Sequence, residues 1–505
     1  MATGSTVTGS RPEHRGLQYW MERVLKELDG VRKAPEPEAV HDLRVAIRRC
    51  RSVAAVMGEV DPDPAWPEMR KLGRRLFRQL GDLRDTQVLE DWTMKLGAES
   101  DPVRERLLAT FSTKEKEQQA AGLKAAGKFD EKSWKKLERK LQQRSRMVPA
   151  NGLAAECLAL ERLEAAKELH ARALRAEKPE AWHELRIGVK RFRYTVESLL
   201  PGRYEEWGDN LKRIQDLLGE LHDLDVLSAT IAETAADLDE VRAAWAERIT
   251  CARHERIDTY RHLTLGEGGL WQTWRRGLPE GSRLEAASLT RLRVTARALE
   301  GNSRRATVVS RLTMRLFDAL TRVHAAPVVA TSEMRKIMRA AARLHGIGTG
   351  LDSDSPQKAA RKYLRAMALP PGWTETEWEI MANVVRYHRG GAPEAKHKAF
   401  ARFTPEEQKA ISTLAGVLRL ARVLRKCGVE SAVGLRVEKS VDALIVHVPG
   451  LAESEENAAS LAAGKYLLES SLERPVIVRA APQVQKVVEL PRKEEAPQAS
   501  AAASD

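Results

Sequence analysis

Apolar residues in two segments of the chain recur at the three- and four-residue spacing of an amphipathic helix. The segments begin at Pro37 and Pro179, and residues 37–51 map onto residues 179–193 with a constant offset of 142. A proline followed by a glutamate is the order typical of a helix N-terminus. At about 100° per residue, the predicted apolar faces consist of Leu43, Ala46, Ile47, Cys50, Ala54 and Met57, and of Leu185, Val189, Phe192 and Val196. The pattern predicts one helix written twice, each copy buried along one face.

A strip of basic residues lies beside the apolar face in both copies. It consists of His41, Arg44, Arg48 and Arg51 in the first copy and of His183, Arg186, Lys190 and Arg193 in the second, with Arg49 and Arg191 beside them. Cations three and four residues apart repel one another on a helix, so the doubled strip predicts an anion along it. The first-turn histidines are then placed to donate to phosphate beside the free backbone N–H groups. A solvated basic face is the alternative.

A second pair of related segments follows each copy. Residues 74–89 align with residues 212–227 at an offset of 138, so the connecting loop differs by four residues. Arg74, Arg75, Lys212 and Arg213 extend the basic set. Within these segments, Arg84-Asp85 and His222-Asp223 are interpreted mainly as structural ion pairs. Two copies of a multi-helix unit are therefore predicted.

The remaining pattern predicts helices followed by a small mixed element. Helical periodicity runs from Arg15 to about His262, and glycine-rich breaks at 266–269 and 277–282 mark a domain boundary. Within this stretch, the lysine-rich residues 114–146 predict mainly a solvated helix pair, with ligand contact as the alternative. Helices resume from Ala286 to about Cys427. Strands are predicted at 435–438, 443–448 and 475–478 around a helix at 456–472, before a disordered tail.

Charge is unevenly distributed along the 505 residues, whose formal net charge is +13. Residues 1–300 carry 53 Lys and Arg against 49 Asp and Glu, so the basic strips are local concentrations in a nearly balanced region. The four cysteines are far apart and show no CxxC spacing, which fits a reducing cytosol and no zinc site. No apolar run reaches the length of a membrane span, and residues 1–10 lack the apolar core of a signal peptide. The expected location is cytoplasmic, without a membrane partner.

The doubled helix and its following segment resemble the CHAD family, the conserved histidine α-helical domain, over roughly residues 11–283. The resemblance implies a mostly α fold with two pseudo-symmetric four-helix bundles whose basic strips face a shared groove or pore. It also implies binding of inorganic polyphosphate and, as in some members, association with polyphosphate granules.

Residues 286–480 resemble the HD-like C-terminal region of the exopolyphosphatase/guanosine-pentaphosphatase family. The resemblance rests on residues 315–320, 341–348, 386–389, 418–422 and 446–450 in order. Family members often have a His-Asp pair where this chain has His345-Gly346, residues 351–357 contain no histidine, and Arg422 replaces a later Asp. Hydrolysis by a metal ion needs His and carboxylate ligands that converge on the cation. No metal site and no cofactor are therefore predicted, and residues 481–505 are assigned to the tail.

The leading hypothesis is a non-catalytic polyphosphate-binding protein. The nucleotide-cleaving N-terminal half of the exopolyphosphatases has no counterpart, and the chain contains no GxxxxGK[ST] loop and no Glu-x-Glu-x-Lys motif. One alternative is a metal-dependent phosphohydrolase acting on polyphosphate or guanosine polyphosphates. Another is a general nucleic-acid or polyanion binder, which basic helices without interleaved aromatic residues fit less well. The sequence leaves open whether the second domain binds polyphosphate, forms a homodimer or recruits another protein.

Overall fold

The computed structural model describes residues 16–33, 37–176, 178–300 and 304–482. The predicted tail begins at Ala481, which the structure places at the end of a strand, and its residues from 483 onward lie outside these ranges, as do the first residues of the predicted N-terminal domain. The described chain forms two compact units, one comprising residues up to 303 together with Gly346–Trp378, the other comprising Arg304–His345 and the residues from Glu379 onward. As predicted, the fold is mostly α-helical, with one small sheet near the end of the described residues.

Two four-helix repeats make up most of the first unit. The first repeat consists of α1 (Leu17–Lys33), α2 (Pro37–Met57), α3 (Ala65–Leu96) and α4 (Pro102–Gly127), and the second of α6 (Leu153–Ala176), α7 (Pro179–Leu199), α8 (Pro201–Thr234) and α9 (Asp239–Thr264). The short helices α5 (Glu131–Ser145) and α10 (Leu270–Arg276) follow the two repeats. Consecutive helices pack on one another within each repeat, and α2 contacts α7 while α3 contacts α8. The helices that contact one another across the two repeats include equivalent pairs, α2 with α7 and α3 with α8. The two bundles are therefore related by pseudo-twofold symmetry.

The apolar faces predicted for α2 and α7 are confirmed. Every predicted face residue is at most 2% exposed, and all belong to one core that extends through both repeats. A second apolar cluster around Trp92, Phe111 and Trp245 joins the far ends of α3, α4, α8 and α9. The lysines of the predicted solvated pair are exposed on α4 and α5. Burial of the apolar faces fixes the rotation of α2 and α7, and so fixes where their basic strips point.

Helix α11 (Gly281–Glu300) packs on α6 of the first unit, although the sequence prediction assigns nearly all of it to the second domain. A buried ion pair joins the two helices, since Arg291 on α11 contacts Glu161 on α6 at 2.6 Å and Arg291 is 3% exposed. Helix α14 (Pro356–Ala366) also belongs to this unit. The compact units therefore divide the chain later than the glycine-rich breaks do.

The second unit contains the remaining helices and the sheet. Its elements are α12 (Arg304–Arg322), α13 (Ser332–Leu344), most of α15 (Glu375–Tyr387), α16 (Lys398–Ala401), α17 (Pro405–Lys426), β1 (Arg436–Lys439), β2 (Leu444–Pro449), α18 (Glu455–Leu472) and β3 (Val476–Ala481). Strand β2 pairs antiparallel with β1 and parallel with β3, and α18 makes the crossover. The predicted strands and intervening helix are confirmed. None of the helices in the described ranges combines the length and apolar composition needed to cross a bilayer.

Candidate functional site

A cavity of about 850 Å³ opens among α2, α3 and α7 in the first unit. Its wall carries ten basic side chains and only three acidic ones. The basic residues are Arg44, Arg48, Arg51, Arg70, Arg74, Arg78, Arg162, Arg186, Lys190 and Arg191, and the acidic ones are Glu59, Asp82 and Asp85. We call this feature the basic cavity. It lies where α2 meets α7, so it draws residues from both repeats.

Cations near the centre of the basic cavity are partly removed from water. Burial lowers the pKa of Lys190 to about 8, and the neighbouring charges of Arg186 and Arg48 add to this effect. Burial also lowers the pKa of Arg44 and of Arg51. Concentrating like charges in a partly desolvated wall disfavours each charged form. The arrangement stores electrostatic repulsion that a bound anion would relieve.

Two of these guanidinium groups present buried nitrogens with no acceptor among the described residues. They are Nη1 of Arg51 and Nε of Arg186. The Arg51 guanidinium also lies 4.8 Å from the centroid of the Phe77 ring, which holds it against the wall. Because buried polar groups in proteins normally have partners, these donors are open to an acceptor from outside the chain, whether water or an anion.

The acidic residues offset only part of the positive charge. Glu59 forms an ion pair with Arg162. Asp85 lies among Arg44, Arg186 and Lys190 instead of pairing with its sequence neighbour. Its counterpart Asp223, also near Arg186, has a pKa raised to about 6, chiefly by burial. The structural ion pairs predicted at 84–85 and 222–223 are not seen among the described residues, since adjacent helical residues point in different directions.

Neither predicted first-turn histidine lines the basic cavity. His41 is exposed on α2. His183 contacts His222 of α8, with 3.2 Å between their Nδ1 atoms. Burial, followed by the charge of Arg186, lowers the pKa of His222 to about 4, so this ring is neutral near pH 7. The neutral His222 ring can therefore share a hydrogen bond with His183 across α7 and α8.

The basic cavity brings together seven of the fourteen predicted site residues, namely Arg44, Arg48, Arg51, Arg74, Arg186, Lys190 and Arg191. Besides the histidines, five predicted residues lie elsewhere. Arg49 forms an ion pair with Glu197 in a separate cavity of about 280 Å³, and Arg193 donates to the Tyr204 hydroxyl at 3.3 Å. Arg75 lines a third cavity, and Lys212 and Arg213 are exposed on α8.

Sequence reasoning missed three cations of the basic cavity, Arg70, Arg78 and Arg162. Arg70 and Arg78 lie four residues before and after Arg74, so they share its helix face. That spacing was a usable signal. No sequence signal marks Arg162, because it lies on α6, where the repeat shows no basic pattern.

The second unit holds the two histidines of the predicted degenerate site in a different environment. His345 and His388 are buried, and their ring centroids are 5.7 Å apart. Each Nδ1 donates to a backbone carbonyl, of Ala342 at 3.0 Å and of Val385 at 2.5 Å. Burial lowers the pKa of His345 to about 4 and that of His388 well below its usual value.

These histidines do not fit a divalent metal ion. Arg422 lies beside them, donates to the His388 carbonyl oxygen at 3.4 Å and lowers the pKa of both rings. Across the described ranges, no three His, Cys, Asp or Glu side chains are grouped so that they could hold a metal. A guanidinium beside two neutral rings disfavours a cation there, where metal-dependent hydrolysis would need carboxylates.

Comparisons with known proteins match both parts of the chain. Residues 16–232 match the CHAD domain, and residues 292–449 match the Ppx/GppA phosphatase, domain III. The crystal structure of the CHAD domain from the plant Ricinus communis is similar at 20% sequence identity, covering 54% of this chain and 96% of that chain, with a TM-score of 0.36. A comparison with curated proteins gave no significant match. Both matched domains indicate a function related to polyphosphate. The chain thus combines a CHAD domain with a Ppx/GppA phosphatase domain III.

Proposed function

We propose that the protein binds inorganic polyphosphate in the basic cavity and does not hydrolyse it. The observation that carries the proposal is the wall of ten cations facing three acids, with buried guanidinium donors that lack acceptors in the described chain. A chain of phosphates supplies many acceptors at close spacing. Arginine is suited to this ligand because its planar fork matches phosphate oxygens.

The composition of the wall favours polyphosphate over a nucleic acid. Its aromatic residues are Phe77 and Tyr194, and Phe77 lies under the Arg51 guanidinium. Proteins that bind single strands place successive bases on exposed aromatic rings. A ligand without bases needs only the cations.

The second unit supports the part of the proposal that excludes hydrolysis. Its His345 and His388 rings are engaged with backbone carbonyls and face a guanidinium instead of carboxylates. We therefore assign the protein a binding role, with polyphosphate as the partner. Incubation with polyphosphate and Mg²⁺ or Mn²⁺ is expected to release no phosphate, and release above that of a heat-denatured sample would contradict this part of the proposal.

The binding test uses fluorescently labelled long-chain polyphosphate and anisotropy near physiological salt, with excess double-stranded DNA as competitor. We expect binding to survive the competitor and to weaken at least about a hundred-fold when Arg44, Arg48, Arg186 and Lys190 are all replaced by Gln. The matched control replaces four exposed lysines of α4 and α5 by Gln, namely Lys116, Lys124, Lys132 and Lys136. Equal weakening by both variants would show attraction to net charge and overturn the assignment of the cavity.

A further inference from the structure

The repeat provides an internal comparison for every residue of the basic cavity. Offset 142 holds for α1 and α6 as well as for α2 and α7, because buried residues of α1 fall on buried residues of α6. Examples are Met21 with Leu163 and Val24 with Ala166. For α3 and α8 the offset is 138. Each side chain that lines the cavity therefore has a defined counterpart on the opposite side of the pseudo-twofold axis.

The two sides differ sharply in charge. The central cations of the basic cavity are Arg44, Arg48, Arg186 and Lys190, which are counterparts of one another. We call the α3 side of the cavity the first lobe, and its cations are Arg51, Arg70, Arg74, Arg78, Arg162 and Arg191. Their counterparts, which define the second lobe, are Arg193, Gly208, Lys212, Asp216, Trp20 and Arg49. Six cations thus become three cations and one acid. The symmetry of the fold is retained, but the symmetry of the charge is not.

Glu197 removes most of what remains in the second lobe. Its carboxylate pairs with Arg49 and lies 4.0 Å from Nη2 of Arg193, and the side chain is only 5% exposed. The counterpart of Glu197 in the first repeat is Ala55, which lines the basic cavity near Arg191 and leaves that arginine without an equivalent carboxylate. Arg193 also donates to Tyr204. Of the three second-lobe cations, two therefore have a partner within the protein, although the Nε of each has no acceptor in the described chain.

We propose that polyphosphate occupies the molecule on one side only, running from the central Arg48 and Lys190 across the first lobe, and that Glu197 closes the second lobe to it. The inference rests on the proposed function and adds the path of the ligand. A phosphate in the second lobe would have to displace a buried carboxylate from its arginines. A phosphate in the first lobe meets exposed cations on α3 whose spacing of four residues aligns them along one helix face.

The repeat supplies a matched pair of variants to test this path. Arg74 and Lys212 are counterparts, and both are exposed, so replacing either by Gln should leave the fold intact. We expect Arg74→Gln to weaken polyphosphate binding about three- to ten-fold and to lower the slope of log K against log salt by roughly one. Lys212→Gln should change neither quantity.

A second pair exchanges the acidic position. Ala55→Glu places a carboxylate beside Arg191 and is expected to weaken binding about ten-fold. Glu197→Ala releases Arg49 and Arg193 and should steepen the salt dependence, provided that its melting curve remains cooperative. Unchanged binding by Ala55→Glu, with a native melting curve, would count against the path.

The outcomes separate this inference from the proposed function. If Arg74→Gln and Lys212→Gln weaken binding equally, while the fourfold central variant abolishes it, polyphosphate uses both lobes and the one-sided path is wrong. If the central variant also binds normally, the assignment of the basic cavity fails. Weaker polyphosphate binding by Arg74→Gln, with unchanged binding by Lys212→Gln, supports both the one-sided path and the proposed function.

Discussion

The basic cavity of the first unit and the histidine pair of the second unit differ in whether their buried donors have acceptors. In the cavity, Arg51 and Arg186 keep buried donors without acceptors in the described chain, and the charges of Arg186 and Arg48 act on the buried Lys190 more strongly than those of Asp223 and Asp85. In the second unit, His345 and His388 each donate to a carbonyl of their own helix region. One cluster is incomplete without a partner, whereas the other is satisfied internally.

This difference separates a binding role from a stabilising role more directly than residue type does. Both clusters consist of His, Arg or Lys, and each lies in a domain related to polyphosphate. An unsatisfied donor keeps a free-energy cost that a ligand can remove, while a satisfied donor has no such cost left to remove. We therefore expect substitutions in the basic cavity to change affinity and substitutions at the histidine pair to change stability.

The largest expected effect comes from reversing a charge at the centre of the cavity. Lys190→Glu should weaken polyphosphate binding about a hundred-fold, because it removes a contact and adds repulsion in a partly desolvated wall. Stability should not fall, since Arg186 and Arg48 act on this position more strongly than the nearby Asp223 and Asp85. Anisotropy titration and a thermal melt measure the two quantities.

The control for this variant is Arg422→Gln in the second unit. It removes a cation that donates to the His388 carbonyl and should leave polyphosphate affinity unchanged while lowering thermal stability. A loss of affinity comparable to that of Lys190→Glu would break the division of roles between the two clusters.

Next in size is the pH dependence of stability from His345. Its folded-state pKa of about 4 lies below its ordinary value of 6.5, so the unfolded chain binds the proton first as the pH falls. The neutral His345 ring therefore contributes fully to the free energy of unfolding above pH 6.5, and this contribution is lost progressively at lower pH. The expected loss between pH 7 and pH 5 is about 2 kcal/mol.

Urea titrations at the two pH values measure this contribution. His345→Gln should reduce the pH 7 to pH 5 difference in unfolding free energy by about 2 kcal/mol, whatever its effect at pH 7. The other buried histidines remain in the variant and supply the remaining difference, with His388 relieved of the charge that His345 carries when protonated. An identical difference in both proteins would show that His345 is not the titrating group.

Periodicity was sufficient to predict the parts of the molecule that depend on one element at a time. The buried faces of α2 and α7 and the strands β1–β3 follow from the spacing of apolar residues alone, and the sequence placed Arg44, Arg48, Arg186 and Lys190 in the cavity. These residues flank the buried faces directly, so fixing the rotation of each helix was enough to place them.

The structure departs from the predicted grouping of residues where a partner on another helix engages a side chain. The sequence grouped Arg49 and Arg193 with the ligand-binding cations, but Arg49 of α2 pairs with Glu197 of α7, and Arg193 of α7 donates to Tyr204 of α8. Likewise, His183 meets His222 instead of the cavity. The repeated pattern identifies only cations that occur in both copies. It therefore does not identify Arg70, Arg78 and Arg162, which have no cationic counterparts. A site prediction based on the shared pattern therefore leaves out the cations that make the two lobes different.

The smallest effect expected is a change of affinity with pH that reports on Lys190 itself. Its pKa of about 8 in the free protein means that it loses most of its charge by pH 9, while the internal phosphates of a long chain stay ionised. Binding favours the charged amine, so affinity should fall up to about ten-fold between pH 7 and pH 9 at constant ionic strength. Lys190→Arg keeps the charge throughout this range, so its affinity should change less than about two-fold. A parallel fall in both proteins would assign the titration to another group, whereas a fall confined to the lysine form would place the phosphate chain against the most strongly desolvated amine of the cavity.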